Sequence, residues 1–372
     1  ATQSTAMLIQ DVPTPEMLAE CRFCSEVSKN SGEDPIGTAA AVDYWLLIEL
    51  RQPWTEKTYT EDPRIVPLIE LFKKLFFKYG IMVRPLLIAP DREYSQPGKT
   101  RVIYYRRPQK QFAEYEKQEY IVPEEEATRL VTAILNNLIK KPNELKRFAG
   151  DRVDTSHLRE ILVCTHGHID VACSKFGQPI YLKLRREYAD NIRVWKCSHF
   201  GGHKFAPTLI HLPDGRYWGH LEPEMLDLLV KNIGDVEGLR FHYRGWSGLS
   251  KFEQIAEREA WMQEGWQWLD YHKSGRTVRK GLTGIKRWLY PVLRWIPLKQ
   301  VKFVLEQWTA KAKWAEVEIN FANADESVSG TYRARIEEIA PVTTAGKSPK
   351  KSSEAIKLTT APQYRVSYLR KG

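Results

Sequence analysis

The chain has 372 residues, 42% of them hydrophobic and 27% charged, and this length allows two or more domains that each bury a core. Its five cysteines, an odd number, do not make the disulfide framework of a secreted protein, and no run approaches the roughly 18 apolar residues of a membrane-spanning helix. The first residues also lack the basic and apolar regions of a secretory signal, so we expect a cytoplasmic protein.

Residues 1–150 predict an α/β lobe. Pro15 favours the start of a helix, which would place Cys21 and Cys24 late in that helix or just beyond its end. Apolar runs and amphipathic periodicity then predict a strand, a helix, two strands and a second helix, at Tyr44–Leu50, Arg64–Tyr79, Val83–Ala89, Thr100–Tyr105 and Pro123–Lys140.

Residues 151–270 repeat much of this order. Strands are predicted at Glu160–Cys164, Ile192–Trp195, Thr208–Leu212 and Tyr217–Leu221, with helices at Val171–Tyr188 and Pro223–Val230. Asp214-Gly215 is a hairpin turn signal between the last two strands. The order is that of a thioredoxin-like layer. We therefore predict an α/β fold of thioredoxin-like layers, in which residues 1–150 form a second, degenerate lobe.

Residues 271–372 carry most of the positive charge. They hold 20 Lys and Arg against 8 Asp and Glu, in a chain whose net charge is +10. Residues 271–315 predict a basic, aromatic-rich helical segment that is broken at Pro291. Residues 316–372 predict a small antiparallel β extension, with strands at Glu316–Phe321, Thr331–Ile336 and Tyr364–Tyr368 and a disordered loop at Val342–Ser353.

Two thiols and two imidazoles follow the predicted strands of residues 151–270. Cys164 and Cys173 have eight residues between them, and His199 and His203 have three. Thiolates and imidazoles bind both iron and zinc, but a C-x8-C loop is wider than the knuckle that begins most zinc fingers. A two-iron cluster accepts the wider loop, with two ligands on each iron. The spacing therefore favours a [2Fe–2S] cluster over a single zinc ion.

Neighbouring residues either compete with these four or support them. His166 and His168 lie inside the loop between the two cysteines, and Cys197 lies two residues before His199, so a ligand role for any of the three is an alternative. We predict instead that they surround the cluster and tune its charge and hydrogen bonding. The full set predicted to surround the cluster is His166, His168, Cys197, Gly201, Gly202 and Lys204.

Four motifs resemble those of the sucrase/ferredoxin-like family, over residues 21–228. They are Cys21-Arg-Phe-Cys24-Ser-Glu-Val-Ser, Gly32-Glu-Asp-Pro-Ile-Gly-Thr38, the segment from Cys164 to Cys173, and Ser198-His-Phe-Gly-Gly-His-Lys-Phe-Ala-Pro-Thr208. In ordinary thioredoxin-like ferredoxins the second ligand pair is C-x3-C. Here His199-x3-His203 takes its place, as in the histidine-ligated members. The resemblance implies a [2Fe–2S] cluster held by Cys164, Cys173, His199 and His203.

On this interpretation the protein is a one-electron carrier with proton-coupled redox chemistry rather than a stand-alone enzyme. Two alternatives are a thiol–disulfide redox protein that uses Cys21 and Cys24, and a protein with a structural zinc site of two cysteines and two histidines. A reactive dithiol needs the N-terminus of a helix, whereas the predicted helix places these two cysteines at its other end. We therefore expect a reduced structural pair there.

The partners predicted from the sequence are other proteins and a charged surface. A carrier without a flavin or nicotinamide motif takes its electrons from a redox protein, and we expect a flavin reductase or another ferredoxin. Residues 271–300 hold eight basic and no acidic side chains, together with Trp288 and Trp295. We expect residues 271–302 either to contact an anionic membrane or an acidic protein, or to be a solvated connector. Nucleic acid is not expected, because no binding motif accompanies the charge.

Overall fold

The structure, a computed structural model, describes residues 15–19, 21–141, 144–167, 171–190, 192–346 and 355–372. Its main element is a ten-stranded mixed sheet, and a separate antiparallel sheet of four strands follows in the chain. In the part of the chain that is described, no helix has the length and apolar character needed to cross a bilayer.

The first half of the large sheet comes from the residues before 154. In chain order the elements are α1 (Pro15–Ala19), α2 (Cys24–Asn30), β1 (Tyr44–Glu49), α3 (Glu56–Thr60), α4 (Val66–Tyr79), β2 (Val83–Ile88), β3 (Lys99–Arg106), β4 (Glu116–Pro123), α5 (Ala127–Leu138) and β5 (Arg152–Val153). Strand β1 lies parallel to β2 and antiparallel to β3, and β3 is antiparallel to β4. Strand β4, which pairs with β3 along its whole length, was not among the predicted strands.

The second half of the large sheet repeats that pairing. Its elements are β6 (Arg159–Cys164), α6 (Val171–Glu187), β7 (Ile192–Cys197), β8 (Leu209–Leu212), β9 (Arg216–Trp218), α7 (Leu226–Lys231), β10 (Tyr243–Trp246) and α8 (Lys251–Glu264). Strand β6 is parallel to β7 and antiparallel to β8, and β8 is antiparallel to β9. The α/β fold with two thioredoxin-like lobes is confirmed, whereas the domain boundaries at residues 150, 270 and 315 stay predictions.

The C-terminal elements are β11 (His272–Lys280), α9 (Ile285–Leu293), α10 (Lys299–Thr309), β12 (Trp314–Ala322), β13 (Ser329–Ala345) and β14 (Leu358–Lys371). The four strands pair in the order β11-β12-β13-β14, as the predicted β extension requires. Two details were wrong. Residues 271–315 begin with strand β11 rather than with a helix, because this stretch pairs with β12 and buries Lys273. The start of the predicted disordered loop is also strand, since Val342–Ala345 pair with β14. Residues 347–354 lie outside the described residues.

The two lobes meet where β2, the outermost strand of the first half-sheet, lies beside β7, the outermost strand of the second. Only Ile88 and Cys197 are paired there, flanked by hydrogen bonds from the Ala89 N–H to the Lys196 carbonyl (2.9 Å) and from the Ser198 N–H to the Leu87 carbonyl (2.8 Å). Because the backbone pairing between β2 and β7 is this short, side chains provide most of the contact between the two lobes.

A buried ionic network fills that junction. Arg193 of β7 donates to Glu160 of β6 (3.0 Å) and to Glu119 of β4 (2.6 and 3.0 Å). From the first lobe, Arg101 contacts Glu119, and Lys117 contacts both carboxylates. Both glutamate side chains are inaccessible to solvent. The network therefore joins β3 and β4 of one lobe to β6 and β7 of the other.

The protonation of Glu119 gives this network a pH dependence. Burial alone would raise the pKa of Glu119, but the hydrogen bonds and positive charge of Arg193, with the charge of Arg101, lower it to about 2. A carboxylate whose folded pKa lies below its unfolded value stabilises the fold above the unfolded pKa and loses that contribution as the pH falls. The contribution of Glu119, about 3 kcal/mol, should therefore disappear between about pH 5 and pH 2.

We predict that Glu119→Gln lowers the free energy of unfolding by about 3 to 5 kcal/mol at neutral pH, because it leaves Arg193 and Arg101 short of a buried partner. The difference from the unmodified protein should shrink as the pH approaches 2. Urea unfolding at a series of pH values measures both effects. Glu144→Gln is the control, since the Glu144–Arg129 pair is exposed and should contribute little. A Glu119→Gln protein with the same pH profile as the unmodified chain would contradict the prediction.

Candidate metal centre

The four predicted ligands come from two loops at the same edge of the large sheet. Cys164 is the last residue of β6, and Cys173 lies in the first turn of α6. His199 follows the end of β7 by two residues, and His203 opens a short 3-10 turn. Cys164 and Cys197 are register partners on the parallel strands β6 and β7, so both loops leave the sheet at one point.

Three of the four residues bring their donor atoms together. The sulfur atoms of Cys164 and Cys173 and a ring nitrogen of His199 all lie within 4.8 Å of one another. The distance from Cys164 Sγ to His199 Nδ1 is 3.8 Å. Both thiols are buried, whereas His199 is partly exposed. The group therefore has a buried sulfur end and an imidazole end that reaches solvent.

The environment of Cys164 favours its thiolate. A hydrogen bond from Cys173 holds the pKa of Cys164 well below its ordinary value, against the effect of burial, and His199 adds to the lowering. The thiolate is the form of cysteine that binds metals. The donor set thus suits iron or zinc, both of which accept thiolate together with imidazole.

His203 lies next to this group but is not part of it. Its ring centroid is 6.5 Å from that of His199, and its Nε2 is 3.3 Å from the carbonyl oxygen of Gly346. A carbonyl can only accept a hydrogen bond, so this contact requires the hydrogen on Nε2 and places the lone pair of the neutral ring on Nδ1. Gly346 follows the end of β13 directly, so the C-terminal sheet extends to the loop that contains His203.

His166 supports the site rather than joining the donor group. Its Nε2 lies 2.7 Å from the carbonyl oxygen of Trp54, and its Nδ1 accepts the backbone N–H of His199 at 3.3 Å. These two contacts engage both ring nitrogens and fix the start of the His199 loop. The other loop histidine, His168, lies outside the described residues.

The remaining predicted neighbours occupy three different places. Cys197 is fully buried, and burial together with the charge of Cys164 raises its pKa well above the usual value, so it stays a thiol. Gly201 and Gly202 have φ angles of +92° and +79°, which favour glycine. Lys204 turns away to form an ion pair with Glu33.

A residue that the sequence analysis missed, Arg244, lies behind the histidine loop. Its guanidinium donates to the Gly201 carbonyl (3.1 Å) and to the hydroxyl and carbonyl oxygens of Thr38 (3.0 and 3.1 Å). It packs so tightly on Gly202 that a Cβ there would lie 2.4 Å from Nη2. Burial lowers the pKa of Arg244 to about 10, and the nearby cysteines counteract this. At neutral pH the side chain is therefore a buried cation.

No carboxylate of the described residues lies within 4.0 Å of the Arg244 guanidinium, in contrast to the other buried arginines, Arg101, Arg193, Arg216 and Arg258. Its charge interacts with Tyr217 and with the two cysteine thiols. The sequence gives one weak sign of this role, a charged residue within the short run Tyr243-Arg-Gly-Trp246. Gly177 of α6 was also missed. A Cβ there would lie 2.3 Å from the Cys164 carbonyl oxygen, so glycine lets α6 pack on the end of β6.

The Cys21 and Cys24 pair differs from its predicted placement. Helix α1 ends at Ala19, and Cys24 is the first residue of a separate helix, α2, rather than the end of the first one. Helix α2 begins at Cys24 because the Glu26 carboxylate accepts hydrogen bonds from the backbone N–H groups of Arg22 (3.0 Å) and Phe23 (3.2 Å). Cys24 is buried and Cys21 is half-buried, and neither belongs to the donor group.

Comparison with known proteins identifies one family. The family described as Suc_Fer-like, sucrase/ferredoxin-like, matches residues 35–245, which is more than half of the chain. The matched stretch includes the four predicted ligands together with Thr38 and Arg244. No curated protein and no solved structure matches the chain.

Proposed function

This chain belongs to the sucrase/ferredoxin-like family, and on that basis we propose that it is a one-electron transfer protein. The proposed cofactor is a [2Fe–2S] cluster bound by Cys164, Cys173, His199 and His203. The observation that carries the proposal is the convergence of two buried thiols and a partly exposed imidazole at one sheet edge, where neighbouring groups also lower the pKa of Cys164. When bound, such a cluster takes up and releases one electron.

The position of His203 supports two irons rather than one zinc ion. A zinc ion with bonds of about 2.0 to 2.3 Å draws its four ligand atoms into a single tight group. Here three donors form such a group, and His203 stands beside them. A cofactor with two metal atoms does not require all four donors in one such group, which is consistent with a position of His203 beside the other three.

Each residue of the centre has a separate task in this function. The buried cysteines keep water from the sulfur end, while the half-exposed histidines form the end through which electrons and protons reach solvent or a partner. The Gly346 carbonyl holds the ring hydrogen of His203 at Nε2. Arg244 supplies a fixed positive charge to a set of anionic donors. That charge stabilises the state with the additional electron.

Two further parts of the proposal concern the setting of the protein. We propose that a flavin reductase or another ferredoxin delivers the electron at the histidine end. We also propose that the protein works in the cytoplasm, because a cysteine thiolate that binds a metal must stay reduced. The alternatives remain a structural zinc site with the same donors and a dithiol function of Cys21 and Cys24.

The cofactor content tests the central proposal. Purified without oxygen, the protein should be red-brown and contain about two irons and two sulfides per chain. Cys173→Ser should lose the colour, because it removes a ligand from the buried end, whereas Cys21→Ser and Cys24→Ser should keep it. A colourless protein with one zinc ion would refute the proposal. A dithiol function would show itself as activity lost in the Cys21 and Cys24 variants.

A second prediction concerns Arg244 and the reduction potential. Arg244→Gln removes a buried positive charge near the thiolates, so the reduced state loses stabilisation and the potential should fall. Arg244→Lys keeps the charge and should retain most of the potential. Redox titration followed by the visible spectrum measures both variants. Equal potentials in the glutamine variant and the unmodified protein would show that the arginine only supports the loop.

The third prediction concerns protons. An imidazole that binds iron through one nitrogen keeps an N–H on the other, and this N–H becomes more acidic when the centre loses an electron. The potential should therefore fall as the pH rises through the neutral and alkaline range. His199→Cys and His203→Cys should each lower the potential and weaken its pH dependence. A potential that is flat from mildly acidic to strongly alkaline pH would indicate that neither histidine is a ligand.

A further inference from the structure

Helix α9 and the turn after it present an apolar stripe to solvent. Ile285, Trp288, Val292 and Trp295 are spaced by three, four and three residues, so they share one side of the helix. They are between 66 and 76% exposed, and Leu298 extends the stripe with 56% exposure. We call these five side chains the α9 face. So many large apolar groups rarely lie together on a free surface without a partner.

The opposite side of α9 is fixed to the body of the protein. The Lys280 ammonium group lies 3.7 Å from the centre of the Tyr290 ring. After the turn, Gln300 donates to the backbone carbonyl of Phe77 at 2.8 Å, and Phe303 of α10 packs on Phe76 at 5.3 Å between ring centroids. These contacts hold Tyr290 of α9 and the start of α10 against the protein, while the α9 face stays exposed.

The segment that carries the α9 face contributes only positive charge. Residues 281–302 contain five basic residues and no acidic one, and none of the five takes part in an ion pair among the described residues. The five are Lys286, Arg287, Arg294, Lys299 and Lys302. Their charges are therefore available to an outside partner.

The rest of the predicted contact segment, residues 271–280, is occupied within the protein. Arg276 pairs with Glu318 (2.6 Å) and Arg279 with Glu316 (3.5 Å), both across the β11–β12 pairing. Lys273 is fully buried, and burial, with the charge of Arg216, lowers its pKa to about 7. The structure thus narrows the docking segment to residues 285–302.

We propose that the α9 face inserts into the headgroup region of an anionic lipid bilayer. Tryptophan favours the boundary between water and hydrocarbon, and basic side chains beside it reach the anionic headgroups. A deformable lipid layer accepts these exposed apolar side chains without a preformed site of matching shape, which a protein partner would have to provide. The helix would lie in the plane of the surface, as amphipathic basic helices do. This docking goes beyond electron transfer and does not depend on the cofactor.

Sedimentation of the full-length protein with vesicles tests this docking. The vesicles contain phosphatidylcholine alone or phosphatidylcholine mixed with phosphatidylglycerol. We expect the protein to pellet with the anionic vesicles at low salt, and its binding to weaken roughly tenfold or more at high salt. It should stay in solution with phosphatidylcholine alone at the same lipid concentration.

Two variants separate the apolar from the electrostatic part. Trp288→Ala combined with Trp295→Ala should abolish pelleting, because it removes the inserted rings. Lys286→Gln combined with Arg287→Gln and Arg294→Gln should leave only weak, salt-independent binding. The matched controls are Phe241→Ala, an aromatic that is 64% exposed elsewhere on the protein, and Arg370→Gln, an exposed basic residue on β14. Both controls should pellet like the unmodified protein, and all variants should unfold at the same urea concentration as it does.

Pelleting that is unchanged in the double tryptophan variant would overturn the proposal, as would an unmodified protein that remains in solution with both kinds of vesicle. A third outcome is that the unmodified protein does not pellet with either kind of vesicle, while a flavin reductase reduces the tryptophan variant more slowly in the absence of lipid. The α9 face would then bind a protein, and the membrane proposal would fail. None of these outcomes depends on the iron content of the protein, so a failure of the membrane proposal can be distinguished from a failure of the cofactor proposal.

Discussion

The contact between strands β2 and β7 is the constraint on which the centre depends. One residue pair joins the two half-sheets, and the Arg193 network together with a hydrophobic core that includes residues of both lobes supplies the rest of the contact. Strand β7 leads directly into the histidine loop, so the first lobe determines where that loop lies. Ser198 hydrogen-bonds to both backbone groups of Leu87, and Arg84 donates to the Phe200 carbonyl at 2.6 Å. The first lobe, none of whose described residues belongs to the donor group, thus supports the histidine loop of the other lobe.

Much of this arrangement is readable from the sequence, because it depends on local patterns. Apolar runs located the strands that end at Cys164 and just before His199, and the repeated order of elements indicated the second lobe. Arg244 could not be found in this way, since its partner Thr38 lies 206 residues earlier in the chain. Helix α8 was missed for a related reason. Its charged Glu257 and Arg258 resemble surface residues, yet both are buried against partners from distant segments.

Buried arginines have different partners at the lobe junction and near the cysteine thiols. In the lobe junction every arginine meets a carboxylate, so the network is neutralised within the protein. Near the thiols Arg244 has polar oxygens as its hydrogen-bond partners, and its charge also interacts with the sulfur donors. A buried cation without an anionic neighbour destabilises the folded protein, whereas anionic groups beside it offset that cost. The donor set and Arg244 therefore stabilise each other.

The contact of Gly346 with His203 has a consequence for the order of events during synthesis. The four predicted ligands have all emerged from the ribosome once residue 203 has, but the carbonyl that orients His203 follows 143 residues later. At about 5 to 20 residues per second, this interval lasts on the order of ten seconds. The final orientation of the His203 ring therefore comes later than the synthesis of its own lobe, because it requires the C-terminal sheet.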